Sequence, residues 1–503
     1  MRRCFVGRRL LSTRAPGTPF AHDYTHTPIA YTHRLPPRIE ADTFKDHEDV
    51  QEPKDPEPQT PIGQLWSSLS NDPLQGKSPS DFFYSFPLTN FKKLKKRTER
   101  PRKVRMLASD FIDDSLYNPN YGYFPKQAEI FQTGKPFAYT DLEDTDEFVT
   151  RWKEQYDRYG KQPALQLWHT PVELFQPYYG EAIARYLLVN YKLNLYPYHD
   201  LIIYEIGGGN GTLMANVLDY IRTNQPEVYK KTRYKIVEIS KNLSEKQKLQ
   251  KSLAKHGSKV EIINKSIFDW NEFVPEPCFI VGLEVLDNLA HDMVKYDIYD
   301  GQPYQGYVVI DEHGDFHQFY TPELNQDTEN FLGLRGLEFL SEPSDYMKTV
   351  KHPLNENRTL QQFRNFLTPF NNALSKTEFI PTRLTSLFQV LNEYFPEHQI
   401  VLSDFDSLPN ASQGYNAPVV QTMLEDKAIT TSTFMVEQGY FDIMFPTDFH
   451  TIRDLYINVC GKLVKTSKHA EFLEQWGDIE GTTTKTGENP MLTFYQNASF
   501  LHS

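Results

Sequence analysis

One segment constrains the fold of this chain more than any other. Leu201–Ile206 (LIIYEI) is an apolar run of strand length, it passes into glycines at 207, 209 and 211, and Leu213–Arg222 then has the spacing of a helix. Glycine is needed where a chain turns tightly or where a ligand approaches the backbone. The helix that follows offers free N–H groups and the positive end of its dipole. Neighbouring segments repeat the alternation. Lys235–Ile239 and Val260–Asn264 are predicted strands with a helix over Leu243–Lys255 between them, and Cys278–Leu283 is a fourth strand. A helix over Thr385–Phe395 leads into a fifth strand, Gln399–Phe405, and Phe434–Phe445 and Leu492–Phe500 could supply the last ones. Strands alternating with helices predict an α/β fold with a parallel sheet covered on both faces.

The remainder divides by composition. Of 503 residues, 39% are hydrophobic and 24% charged, enough apolar mass for a sizeable core, so disorder along the whole length is excluded. No stretch approaches the length of a membrane span. Acidic residues outnumber basic ones, 66 to 53, which disfavours a surface that grips nucleic acid throughout. The charge is uneven, however. Residues 1–22 hold five arginines, several hydroxyls and no acid, the composition of a mitochondrial transit peptide, and no apolar h-region of a secretory signal follows. Residues 23–101 are expected to be a largely disordered arm, proline-rich and acidic at Asp46–Pro61, with Ile62–Leu69 and Phe82–Phe91 suited to docking on the body. Lys92–Arg105 has nine basic residues and one acid; it is read as a solvated arm, with contact to RNA or anionic lipid as the alternative.

The body is expected from Arg102 to the end. Residues 102–200 form a mainly helical part, with helices over Val104–Leu116 and Leu174–Tyr191, and residues 290–380 an insertion with strands at Val294–Tyr299, Tyr304–Ile310 and Asp315–Tyr320. Cys278 and Cys460 are spaced for neither a disulfide framework nor a CxxC metal site, and they suit a reducing compartment. His291, His317 and His450 are scattered without metal-ligand spacing, so no metal is expected.

The ligand of the glycine turn follows from what surrounds it. A P-loop would need Gly-Lys-Ser/Thr, which is missing, and a dinucleotide loop wants GxGxxG, whereas Gly207, Gly209 and Gly211 are spaced GxGxG. Glu205 beside the turn would repel a pyrophosphate but suits a cation. Glu238, ending the second strand, can accept hydrogen bonds from both ribose hydroxyls. S-adenosylmethionine, with its ammonium and sulfonium, satisfies both features. After the fourth strand come Glu284 and Asp287, at the carboxyl edge where open α/β sheets bind ligands. Paired carboxylates can hold a guanidinium bidentately and keep one nitrogen on a methyl donor. The same pair would also serve as first-turn acids of a helix. Asp269, beyond the third strand, is counted with the cofactor-binding candidates, and Asp404, ending the fifth, is read as a turn acid.

At these residues the chain resembles the MidA-like methyltransferases. Asn118-Pro119-Asn120-Tyr121-Gly122-Tyr123-Phe124 looks like their NPxxGYY segment, Tyr204–Leu213 like their ELGPGRGTL loop, and Val237–Ser244 (VEISKNLS) like their VExSxxLS stretch. Glu284–Leu289 is similar to the ExxDxLP segment. The resemblance implies a seven-stranded, Rossmann-like class I methyltransferase sheet. It also implies a matrix location and symmetric dimethylation of arginine on a subunit of respiratory complex I, supporting its assembly. Cofactor roles would fall on Glu205, Gly207, Gly209, Gly211 and Glu238, and Glu284 and Asp287 would lie near the substrate. This sequence departs from the pattern at Gly208, Asn210 and Ala290, and at His169-Thr170-Pro171-Val172-Glu173, where the family has TSPEIS. The substrate side is therefore the more divergent, which leaves a second reading: a methyltransferase fold of weak turnover that binds a mitochondrial complex or ribosome as an assembly factor. Methylation of RNA or a small molecule is disfavoured, because Glu284–Asn288 stands where amide-methylating enzymes carry NPPY.

Overall fold

The computed structural model describes residues 32–35, 74, 77–126, 128–131, 135–158, 166–249, 255–336, 352–355, 373–411, 416–424 and 427–503. Residues 1–22, expected to be a transit peptide, and the stretches Asp46–Pro61 and Ile62–Leu69 lie outside the described residues.

The alternating units form the centre. The strands are β1 (Leu201–Ile206), β2 (Thr232–Val237), β3 (Val260–Ile263), β4 (Cys278–Leu283), β5 (His398–Phe405), β6 (Lys465–Lys468) and β7 (Ala498–His502). They lie side by side in the order β6-β7-β5-β4-β1-β2-β3, with β7 antiparallel to both neighbours and β1 to β5 mutually parallel. β1 and β4 read as continuous apolar runs because both of their faces are buried. On one face pack α2 (Tyr178–Asn194) and α3 (Thr212–Asn224), which bury Ile183, Leu187, Val217 and Ile221 over Ile203 and Val281. On the other lie α4 (Thr382–Tyr394) and α5 (Phe449–Cys460), with Phe388, Leu391, Ile452 and Tyr456 over Ile280, Ile400 and Leu402. The seven-stranded expectation holds.

The 290–380 region supplies strands Asp292–Tyr296, Pro303–Ile310, Phe316–Thr321 and Glu378–Ile380 of a second sheet, close to those expected. Two expectations need correction. Val104–Leu116 is not all helix: Val104–Leu107 pairs with Tyr307–Ile310 of the second sheet, and helix α1 (Ala108–Tyr117) begins after it. Val104 and Met106 alternate into the core, a period of two too short to stand out beside the helix. Phe434–Phe445 adds no strand to the main sheet. Asp442–Met444 instead pairs with Val419–Leu424, which also takes Lys427–Thr431, in a separate antiparallel sheet. Arg383 of α4 ties the parts together by pairing with Asp113 (2.8 Å) and Asp110 (3.6 Å) of α1.

The arm is also shorter than expected, because the folded part starts well before Arg102. Thr32–Arg34 adds a parallel strand beside Gln318–Tyr320, and the helix Pro79–Tyr84 buries Phe82 and Phe83 against Val309 and Phe319. The basic run is largely engaged with the body. Lys95 pairs with Asp269 at 2.9 Å, Arg100 donates to the Gln438 carbonyl at 2.7 Å and lies over Tyr440, and Arg102 donates to the His313 carbonyl at 2.7 Å. Among the described residues no helix is long and apolar enough to cross a membrane.

Candidate active site

A cavity of about 450 Å³ opens at the carboxyl edge of the main sheet. The turn after β1 forms its floor. Gly207 and Gly209 adopt left-handed φ of 71° and 49°, and Gly211, at 79°, caps α3. A Cβ on Gly207 would stand 2.7 Å from Val285 Cγ1, and one on Gly209 would stand 3.0 Å from the tip of Ile130 at Cδ1, so φ favours glycine at both and sterics add to it most at Gly207. The opposite walls come from the ends of β4 and β5, from Val419, Gln421, Asp442 and Met444 of the three-stranded sheet, and from Tyr495 and Asn497. Phe124, last residue of the Asn118–Phe124 motif, and Trp168 close the side. Trp168 Nε1 donates to the Tyr123 hydroxyl at 2.6 Å, and Phe124 stacks on Tyr117.

Of the candidate cofactor residues, Glu205, Gly207 and Gly209 line the cavity. Glu205 is buried, accepts from the Tyr234 hydroxyl at 2.8 Å, and is pushed up to about 7 by that burial. Glu238 is not on the wall. Its carboxylate accepts from Ser240 N (2.8 Å) and Gln247 Nε2 (3.1 Å), and burial likewise raises it to about 7. The same Gln247 nitrogen donates to the Gly209 carbonyl at 2.8 Å, so Glu238 and the glycine turn are held by one amide. Asp269 does not join them. Its 3-10 turn, Ile267–Asp269, buries Ile267 and sends the carboxylate outward to Lys95. That corrects its inclusion among the cofactor residues.

Glu284 and Asp287 both line the cavity. Glu284 has a left-handed φ of 53°, rare for a residue with a side chain. Burial, and then the neighbouring Asp404, raise its pKa well above the carboxylate range. Asp287 is raised by burial, then by Asp404, Asp442 and Glu284. Asp404 is off the wall and works as the turn acid it was read to be, accepting from Leu286 N at 2.6 Å and Asp287 N at 3.1 Å. His291 stacks on Phe445 at 3.8 Å, and His317 faces Asp311 at 3.2 Å. Among the described residues no group of three or more His, Cys, Asp or Glu side chains could hold a metal.

Spacing singled out neither Glu173 nor Asp442. Glu173, buried, accepts from Asn210 Nδ2 (3.0 Å) and Thr212 Oγ1 (2.7 Å) and so braces the glycine turn from the side. Asn210, which departs from the family's arginine, is therefore employed in that brace. Asp442 accepts from Asn288 Nδ2 at 2.9 Å and is pushed up to about 7 by burial. The signals for Glu173 were the Thr-Pro-x-Glu pattern of a capped helix start and its place in the segment where the family has TSPEIS.

The cavity wall thus carries five carboxyl groups, Glu173, Glu205, Glu284, Asp287 and Asp442, and no lysine or arginine among its described residues. A sheet in this strand order, with a glycine turn and buried acids at its carboxyl edge, has the architecture of the S-adenosylmethionine-dependent methyltransferases. Residues 182–467, over half of the chain, match the family model described as "Putative S-adenosyl-L-methionine-dependent methyltransferase", and the chain belongs to that family, bearing out the MidA-like resemblance. Two curated relatives are similar. The Schizosaccharomyces pombe "Protein arginine methyltransferase NDUFAF7 homolog, mitochondrial" is 24% identical over 76% of this chain and 81% of its own length. The Saccharomyces cerevisiae protein of the same name is 24% identical over 65% and 79%. A Burkholderia thailandensis protein solved with S-adenosyl-homocysteine shares the fold, with a TM-score of 0.50 at 14% identity over 79% of this chain and 88% of that one.

Proposed function

We propose that this methyltransferase acts on arginine in a mitochondrial protein, and that its substrate is a complex I subunit dimethylated symmetrically in the matrix. Residues 1–22 serve as the targeting segment in this reading. The observation that carries the arginine assignment is the charge of the cavity wall. Glu205, Glu284, Asp287 and Asp442 line a cavity whose described wall residues include no lysine or arginine, which suits two cationic ligands at once, the donor and a guanidinium. The names of the two fungal relatives support the same reading.

The residues fit the donor. Glu205 faces its cationic end and the turn Gly207–Gly211 lets it lie against backbone, while Glu238, off the wall, acts from behind by fixing Gln247 on the Gly209 carbonyl. Bound S-adenosylmethionine supplies a methyl on sulfur open to in-line displacement. Everything else falls to the chain. Glu284 and Asp287 hold the guanidinium by charge-assisted hydrogen bonds and point one nitrogen along the line of attack. Asp404 keeps their loop in place, and Phe124, Trp168 and Phe405 keep water out. Burial, and then the neighbouring carboxylates, raise these acids; two entering cations favour their charged forms and reverse the shift.

Calorimetry with S-adenosylmethionine tests the cofactor side. Wild type should bind, and Gly209→Val should lose at least tenfold in affinity, since valine meets both the φ of 49° and Ile130. No binding by wild type would sink the enzyme reading. Mass spectrometry of mitochondrial arginine methylation, with and without the protein, tests the substrate; an unchanged pattern would remove arginine.

A further inference from the structure

Methyl transfer to arginine leaves a proton to dispose of. Donor and guanidinium enter as two cations, and one cation, the methylated guanidinium, remains together with a released proton. Glu284 and Asp287 are still bonded to that product, so the proton needs a neutral base outside the pair. We propose that His169, through the Tyr495 hydroxyl, takes the proton from the guanidinium nitrogen and delivers it to solvent; the inference rests on the arginine reading.

His169 is the imidazole among the described residues on the cavity wall, and it keeps an exposed edge at the mouth. Its Nδ1 is 2.8 Å from the Tyr495 hydroxyl, and Trp152 meets the ring edge-on with centroids 4.9 Å apart. Tyr495 also lines the cavity and packs over Phe405. Its φ is 54°, so Tyr495 and Glu284 are two side-chain-bearing residues held left-handed in one cavity, the kind of cost that persists where a position is used. The groups facing His169 are the Tyr495 phenol, the uncharged Trp152 indole and, four residues along its own segment, Glu173, whose carboxylate is taken by Asn210 and Thr212. Glu284 acts on Tyr495, raising the phenol well above its usual range after burial, which keeps it a hydroxyl able to relay. Burial lowers the His169 pKa, leaving the ring neutral and able to accept near neutral pH.

The balance is simple. The new nitrogen–methyl bond forms as the sulfur–methyl bond breaks, with its electron pair left on sulfur. The nitrogen's N–H bond then breaks; its proton passes to Tyr495 Oη while the hydroxyl's own proton passes to His169 Nδ1. The imidazolium loses its Nε2 proton to water.

The test uses the full chain, S-adenosylmethionine and protein from mitochondria lacking this enzyme, with methylarginine read by mass spectrometry. A positioned general base contributes about 10²- to 10⁴-fold. His169→Gln should therefore lower kcat by about 10²-fold and erase the acidic limb of its pH profile. Tyr495→Phe should lower kcat while KM for the donor stays within about threefold in both, since neither holds the donor. Added imidazole should partly restore His169→Gln. Independently of turnover, NMR titration of cofactor-free chain should place His169 below an ordinary histidine and shift it in Tyr495→Phe. A methylating wild type whose His169→Gln variant keeps kcat and the acidic limb overturns this inference alone. Failure of wild type to form methylarginine overturns the arginine reading, and this inference with it.

Discussion

Glu205 is where burial and function pull hardest against each other. Its folded-state value of about 7 stands above the ordinary 4.5, so between those values the folded chain holds a proton that the unfolded chain has lost. Stability from this group is therefore full at the acid end of the window and is lost as pH rises toward 7, by an amount on the order of 3 kcal/mol. A cationic ligand selects the opposite form. Affinity for S-adenosylmethionine should rise with pH between 6 and 8, because binding at the lower end must first expel the proton. Glu205→Gln should bind more weakly and with a shallower pH slope, though not a flat one, since Glu238 is raised to the same value. Calorimetry at three pH values in buffers of different ionisation enthalpy measures both slope and proton release. An identical slope in the variant would place the titrating group elsewhere.

At the scale of elements, the loop after β4 depends on β5. Asp404 accepts the N–H groups of Leu286 and Asp287, and of its own neighbour Phe405 at 2.7 Å. Removing an acceptor strands buried donors at about 1–3 kcal/mol each. Asp404→Ala should lower the urea midpoint by more than Asp404→Asn, which keeps one amide oxygen; equal midpoints would show that the loop holds itself. This also bounds what could be read from residues alone. β1 and β4 were legible because a fully buried strand is a bare apolar run, and the glycine turn was legible because alternating glycines have few other uses. Glu284 and Asp287 were legible as the acids that end a strand at the ligand edge. Asp442 was not: it enters the cavity from a small antiparallel sheet whose strand Asp442–Met444 is too short for a period, and whose partner strand lies about twenty residues earlier in the chain. Asp269 misled for the converse reason, since position after a strand does not say which way a 3-10 turn faces.

Across the whole molecule, the net charge of −13 conceals an assembly in which basic and acidic parts are already matched. The run Lys92–Arg105 spends Lys95, Arg100 and Arg102 on the body, while the described residues of the cavity wall include acids and no lysine or arginine. The segment before it belongs to the fold as well. Phe82 and Phe83 are 1% and 2% exposed and cover Val309 and Phe319 on the second sheet, a cluster separate from the main core. Phe82–Phe91 was expected to dock on the body; its helix was not legible, because the aromatic pair is too brief to show a helical period. Large-to-small truncation of a buried phenylalanine typically costs about 3–5 kcal/mol. Phe82→Ala in the full chain should therefore lower the melting temperature by several degrees, yet leave S-adenosylmethionine affinity below the transition unchanged, because the helix Pro79–Tyr84 abuts the second sheet and contributes nothing to the cavity wall. Differential scanning calorimetry and isothermal titration on the same preparation separate the two effects. An unchanged melting temperature would return this segment to the status of a loose arm. A parallel loss of affinity would mean that the second sheet transmits to the cofactor side through Arg383 and α1.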